Sequence, residues 1–192
     1  MLTKQFKIAD ADTHVTPLSD LLENYMSSVE RDRLTPFHKF RIEAGIFHRE
    51  GNASEKAYHY EYSFNTRRYL RRLGDAEPLD PQAKDSLPFQ SSRHSQEPSV
   101  LLEDDPRERI KDMDLEHVDV NFMLQSGRFG IWTSQPDIEI ENTWYLAYHR
   151  WMEDYCSAFP GRLTGVLICS GRDVESAVKQ IHMWSGSSWA KG

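Results

Sequence analysis

The clearest hydrophobic pattern runs from residue 141 to residue 158. Trp144, Ala147, Tyr148, Trp151, Met152, Tyr155 and Cys156 recur at helical spacing, and Phe159-Pro160-Gly161 supplies a stop. This spacing predicts a long amphipathic helix. Leu163 to Cys169 follows as a nearly continuous apolar run, the mark of a buried parallel strand. Upstream, Val118, Val120, Phe122 and Leu124 alternate with Asp119, Asn121 and Met123, a period of two that predicts another strand. Two further helices frame these strands. Asp105-Pro106-Arg107-Glu108 opens the first with an N-cap, a proline in the first turn and a glutamate spaced for a capping box. Ile110, Met113 and His117 form its predicted inner face. Asp173 caps the second, with Val174, Ala177, Val178 and Ile181 predicted to face inward.

Residues 7–14 add a short strand at the start of the chain. Strands alternating with helices imply parallel βαβ units, here three strand-plus-helix units in one α/β domain. The segment Ser185-Gly186-Ser187-Ser188-Trp189-Ala190-Lys191-Gly192 stands where a fourth strand is due. The expectation is therefore a fragment of something longer. The chain divides into the first strand (1–16), an insertion (17–104) and the continuing units (105–192). The insertion exceeds the roughly 2–6 residues usual for a βα loop. Within it, residues 18–31 look like one amphipathic helix carrying Leu18, Leu21, Leu22, Tyr25 and Met26. Residues 75–99, rich in Pro, Ser, Asp and Gln, read as loop or disordered chain. Leaving from the carboxyl end of the first strand, the insertion is expected to lie over the mouth of the fold as a cap.

Composition narrows the function. A net charge of -7 and a pI near 5.6 argue against a nucleic-acid backbone as partner. No apolar run is long enough to span a membrane, and the start lacks the apolar stretch of a secretory signal. A cytoplasmic location is the expectation. Cys156 and Cys169 have neither metal-type nor redox spacing and read as free thiols.

The candidate chemistry sits at the end of the first strand. In Asp12-x-His14 the two side chains project to one face, and a carboxylate and an imidazole there can grip one divalent metal. Asp10 is expected one step further back on that face, supporting the ligands or resting as a buried polar residue. Pro17 stops the strand soon after. Two ligands do not hold a metal, so others must come from elsewhere. Arg128 follows the second strand, where it is a candidate fork for a substrate carboxylate. Ser170-Gly171-Arg172 reads as a helix-start loop with a weak phosphate-site signal. His38, His48, His59 and His94 fit no standard zinc spacing, and His149 and His182 read as structural. No Gly-x-Ser-x-Gly elbow is present, which argues against a serine hydrolase.

Three segments, in order, carry a resemblance. Ile8-Ala9-Asp10-Ala11-Asp12-Thr13-His14, Arg107 to Val120 and Tyr155 to Val166 resemble the amidohydrolase-related family, in the branch that includes aminocarboxymuconate-semialdehyde decarboxylase. The resemblance covers residues 7–16 and 105–183. It implies a (β/α)8 TIM barrel of which this chain supplies the first three units. It also implies a metal bound by Asp12 and His14, with Asp12 where the family usually has a histidine. A carboxylate there makes the site harder and more negative, which suits Zn or Mn. The remaining ligands and the catalytic residues would lie beyond residue 192. His117 stands where members usually have Gly, a position expected to take a positive φ. The implied activity is a metal-dependent hydrolase acting on a small molecule, a carboxylate among the candidates, in a chain that is also a candidate homo-oligomer. The alternative is a non-oxidative decarboxylase of a small aromatic or unsaturated acid. The non-enzymatic alternative is an inactive half-barrel or interaction fragment.

Overall fold

The computed structural model describes residues 6–17, 19–43, 60–62, 105–125 and 137–192. Its centre is a parallel sheet of β1 (Ala9–Val15), β4 (Val120–Gln125) and β5 (Leu163–Gly165), in the order β1-β4-β5. β2 (Arg41–Glu43) and β3 (Tyr60–Tyr62) form a separate antiparallel pair. Mixed α/β architecture with consecutive parallel strands is what the sequence pattern implies.

The helices begin where the caps say. α3 (Pro106–Leu115) starts at Asp105, whose carboxylate accepts the Arg107 N–H. Glu108 does not answer as a capping box there; it reaches Lys111 at 2.6 Å. α4 (Ile138–Ser157) buries all seven residues of the apolar stripe against the sheet, starting three residues before its predicted start. It ends at the Phe159-Pro160-Gly161 turn, where Gly161 takes φ 79°. α5 (Val174–Trp184) is capped by Asp173, whose carboxylate accepts the Ser176 N–H at 3.0 Å.

His117 adopts φ 59°. The Val118 N–H bonds the Met113 carbonyl at 2.8 Å and the His117 N–H bonds that of Asp114 at 3.4 Å. This pair of bonds is a Schellman motif, whose left-handed residue is normally glycine. The positive φ expected at this position is therefore present, and a histidine carries it. His117 itself is exposed, so it is not part of the inner face of α3. Arg109 takes that place beside Met113, fully buried, its Nε donating to the Tyr155 hydroxyl at 3.2 Å.

Two expectations about helix faces and extents are corrected. The inner face of α5 is Gln180 with Ala177 and Trp184, whereas Val174, Val178 and Ile181 are exposed. The helix is turned so that Trp184 meets His149 and Trp189, with ring centroids 6.0 and 5.8 Å away. Residues 18–31 are not one helix. α1 (Ser19–Glu23) and α2 (Ser28–Leu34) are separated because Ser27 and Glu30 form a capping box that restarts the backbone.

These two helices lie against α4. The Tyr25 hydroxyl donates to Asp154 at 2.8 Å, Arg150 forks onto Glu30, and Arg33 pairs with Glu139. α1 and α2 thus run as a hairpin along the flank of α4, burying Leu22, Met26 and Leu34 in the same core as Trp144 and Trp151. A 3-10 turn, Thr35–Phe40, leads on to β2. Residues 63–104, including the 75–99 stretch, lie outside the described residues. No helix among the described residues is long and apolar enough to cross a membrane. Both cysteines are free thiols, and burial with the nearby Glu153 carboxylate pushes Cys156 up to about 12.

The segment after α5 returns to the sheet. Trp189 is buried, and Gly165 N–H bonds the Trp189 carbonyl, Lys191 N–H the Gly165 carbonyl, and Leu167 N–H the Gly192 carbonyl. Residues 189–192 therefore lie parallel to β5 as a short fourth strand position, as the sequence of units predicts.

Candidate metal centre

β1 and β4 fall out of step between Asp10 and Thr13. Asp10 pairs with Asn121 and Thr13 with Met123, so three steps on β1 answer two on β4. This is a β-bulge, a device that re-aims side chains beside functional sites. Its cause is local. One Asp10 carboxylate oxygen accepts the Asp12 N–H at 2.9 Å and the other accepts the Thr13 hydroxyl at 2.7 Å. The Asn121 amide donates to Thr13 Oγ1 at 2.9 Å, locking the bulge to the neighbouring strand. Simple alternation places Asp10 in line with Asp12 and His14. The bulge instead turns it onto buried Thr13, so Asp10 acts on the backbone that carries Asp12.

Beyond the bulge, alternation resumes. Thr13 and Val15 are buried under the helices, and Asp12 and His14 emerge on the opposite face at the carboxyl end of β1. His14 Nε2 lies 3.2 Å from Asp12 Oδ1, with side-chain exposures of 47% and 92%. Two donors bound to one zinc at about 2.0–2.2 Å in tetrahedral geometry stand roughly 3.4 Å apart. The pair thus fits two corners of a single cation's coordination shell. A catalytic zinc usually takes about three protein ligands. Among the described residues no group of three or more His, Cys, Asp or Glu is placed to hold a metal ion. Asp12 and His14 could supply two donors.

Arg128 lies outside the described residues, as do His48, His59 and His94. Ser170 Oγ accepts the Arg172 N–H, and Arg172 pairs with the buried carboxylate of Glu141. The Tyr145 hydroxyl donates to the same Glu141 at 2.9 Å. Asp173 takes the Asn142 amide at 2.8 Å; the Ser176 N–H and this amide hold its carboxyl below the usual range. The loop after β5 is thereby tied to the start of α4, which is the helix-start role rather than a phosphate site. His38 and His182 are exposed.

His149 is structural. Its ring is fully buried and Nε2 accepts the Ile168 N–H at 2.9 Å. Burial pushes its pKa down to about 4, against the opposing effects of Gln180 and the Ile168 N–H. At the opposite, amino end of the strands, Met113, Asp114, His117, Val118, Asp119 and Arg162 line an open cleft of about 400 Å³. Arg162 is committed there to Asp114 and to the carbonyls of Asp119 and Val118. This is a clasp between strand starts.

Residues whose part was not read from the sequence are Thr13 and Asn121. A hint exists in the Asp10-x-x-Thr13 spacing, since aspartates bond their own backbone two residues on. Asn121 gives no such local sign. Compared with known proteins, the chain matches no family model and no curated protein.

Proposed function

We propose that this chain carries the metal-binding corner of a metal-dependent hydrolase of the amidohydrolase-related type, built on a (β/α)8 barrel. One observation carries the reading: Asp12 and His14 stand 3.2 Å apart on one face at the carboxyl end of the first strand of a parallel sheet. That end of the strands is where such folds place their chemistry. The positive φ of His117 and the three consecutive parallel strands support the same reading.

Asp12 and His14 would hold the metal, Zn or Mn. Bound, such an ion polarises a substrate oxygen or lowers the pKa of a bound water towards neutrality. Asp12 contributes negative charge where imidazole would be neutral. Asp10 holds the Asp12 amide and the Thr13 hydroxyl, which fixes the direction of the strand end. Arg128, three residues after β4 in the sequence, is proposed to fork onto a substrate carboxylate. The substrate is a small molecule and the setting cytoplasmic.

The test is metal affinity by chelator competition, with hydrolysis of an amide, ester and lactone panel measured alongside. His14→Ala should remove the metal and any hydrolysis together. Asp12→Asn should weaken binding less, because an amide oxygen still coordinates without charge. Asp10→Asn should weaken it least, by about tenfold, through loosened ligand direction. Unchanged metal content and turnover in His14→Ala would overturn the proposal.

A further inference from the structure

α4 carries one imidazole into the core. His149 is fully buried, and its Nε2 accepts the Ile168 N–H at 2.9 Å. Nε2 therefore bears no hydrogen, and the neutral ring holds its proton on Nδ1. Gln180, the only fully buried side chain of α5, is the hydrogen-bonding side chain that acts on the imidazole, and Nδ1 is the nitrogen left to it. Neither Nδ1 nor Gln180 Oε1 has another protein partner. His149 thus joins α4 to two segments that follow β5 in the chain, the loop at Ile168 and helix α5.

The surroundings offer a second proton nothing. The ring centroids of Tyr148, Trp184 and Trp189 lie 5.8, 6.0 and 6.2 Å from that of His149. Besides burial, the groups that act on the ring are Gln180 and the Ile168 N–H, neither of them charged. On α4, Glu141 holds Arg172 and Tyr145, Arg150 holds Glu30, and Glu153 acts on Cys156. After β5, Asp173 takes the Asn142 amide, the Cys169 thiol lies against the Ala177 carbonyl, and Lys179 pairs with Glu175. His182 and Lys191 are exposed.

An imidazolium is a donor at both nitrogens and an acceptor at neither. A second proton would set an N–H against the Ile168 N–H, and that bond must break. The same corner is weakly held in other respects. Trp184 Nε1 and Trp189 Nε1 are buried without a protein acceptor, and the one side chain that α5 buries fully is polar. Unpaired buried donors and little buried apolar surface lower local stability.

We propose that His149 is an acid-sensitive latch: neutral, it joins Ile168 and Gln180 to α4, and a second proton on its ring lets both go while α4 stays folded. The Arg172–Glu141 and Asn142–Asp173 pairs include no part of the latch and keep the start of α5 in place. The α1–α2 hairpin grips α4 separately, through Arg150–Glu30 and Tyr25–Asp154. This inference does not rest on the metal reading, in which His149 takes no part.

Two-dimensional NMR and native-state hydrogen exchange of the 192-residue chain test it. At neutral pH the His149 ring should carry its proton on Nδ1 and none on Nε2. Burial holds the closed ring's pKa near 4, whereas a released ring titrates near 6.5. Between these values the Ile168 amide should lose protection about tenfold per pH unit, once intrinsic exchange is divided out. The opening is local, so low concentrations of urea should leave the Ile168 rate flat while the Met152 amide in the middle of α4 exchanges faster. His149→Gln keeps an acceptor for Ile168 and takes no proton, so it should abolish the pH slope. The wild-type measurements decide the matter even if that variant does not fold. A proton on Nε2 at neutral pH would overturn the proposal. So would Ile168 protection that ignores pH, a rate that rises with urea in step with Met152, or a pH slope that persists in a folded His149→Gln chain.

Discussion

On one face of the parallel sheet Thr13, Val15, Asn121 and Met123 are buried beneath α4; on the other, Asp12 and His14 stand in solvent beside half-buried Val120, Phe122 and Leu124. The strands are the same and alternate between the two faces. The covered face also holds polar residues, because Thr13 and Asn121 satisfy each other there. What closes that face is the aromatic stripe of α4, with the α1–α2 hairpin along its flank. The open face carries Asp12 and His14 and, among the described residues, has no comparable cover. A buried surface stabilises this molecule, and the exposed one carries its candidate chemistry.

Stability measurements can break that division. The largest effect should come from the covered side. Trp151→Ala should cost about 3–5 kcal/mol in denaturant unfolding, through lost burial and a cavity. Asp12→Ala should change stability by no more than about 0.5 kcal/mol, as exposed positions do. Equal losses at the two sites would erase the distinction.

A second prediction concerns pH. Burial holds His149 neutral in the fold, with its pKa near 4, whereas the unfolded imidazole titrates near 6.5. The unfolded chain therefore binds the extra proton first. Stability should fall as pH drops from about 6.5 to 4, by on the order of 3 kcal/mol, and this contribution should level off below. His149→Gln, which keeps an acceptor for the Ile168 N–H, should flatten that slope. Thermal unfolding across the pH range reads it, and an unchanged slope would put the acid sensitivity elsewhere.

Smaller effects sharpen the picture. A methyl on Gly165 would meet Met152 Cε and press the Met123 carbonyl oxygen at 3.0 Å. Gly165→Ala should cost about 1–3 kcal/mol, since α4 then cannot approach the strand as closely. At the amino end of the strands the sign reverses. His117→Gly should stabilise by on the order of 1 kcal/mol, because glycine takes φ 59° without strain. Denaturant midpoints distinguish both from wild type.

What was legible in the sequence follows the same division. The seven-residue stripe of α4 and the Asp105, Pro106 and Asp173 signals depend on neighbours three or four residues away, and they hold. The Ser27-Glu30 box was equally readable, and it explains why the helix from residue 18 breaks. The face of α5 was not readable, since its apolar stripe of Val174, Val178 and Ile181 points the other way. Contacts of Trp184 with His149 and Trp189 set its rotation. The bulge in β1 has a local cause, hinted at by the Asp10-x-x-Thr13 spacing, but its lock onto β4 comes from Asn121, 108 residues from Thr13, and no local pattern announces that. The Asp12–His14 pairing was legible because it needs only strand alternation, whereas the turn of Asp10 away from it was not.

Asp12 and His14 are proposed to form one metal corner. Titration with Mn²⁺ followed by two-dimensional NMR of the amide and imidazole resonances tests it most directly, because a paramagnetic ion broadens signals nearest to it. The His14 ring and the Asp12 and Thr13 amides should broaden first. His38, His117 and His182 should persist, and His14→Ala should abolish the effect. Broadening centred on any of those other histidines, with His14 untouched, would contradict it.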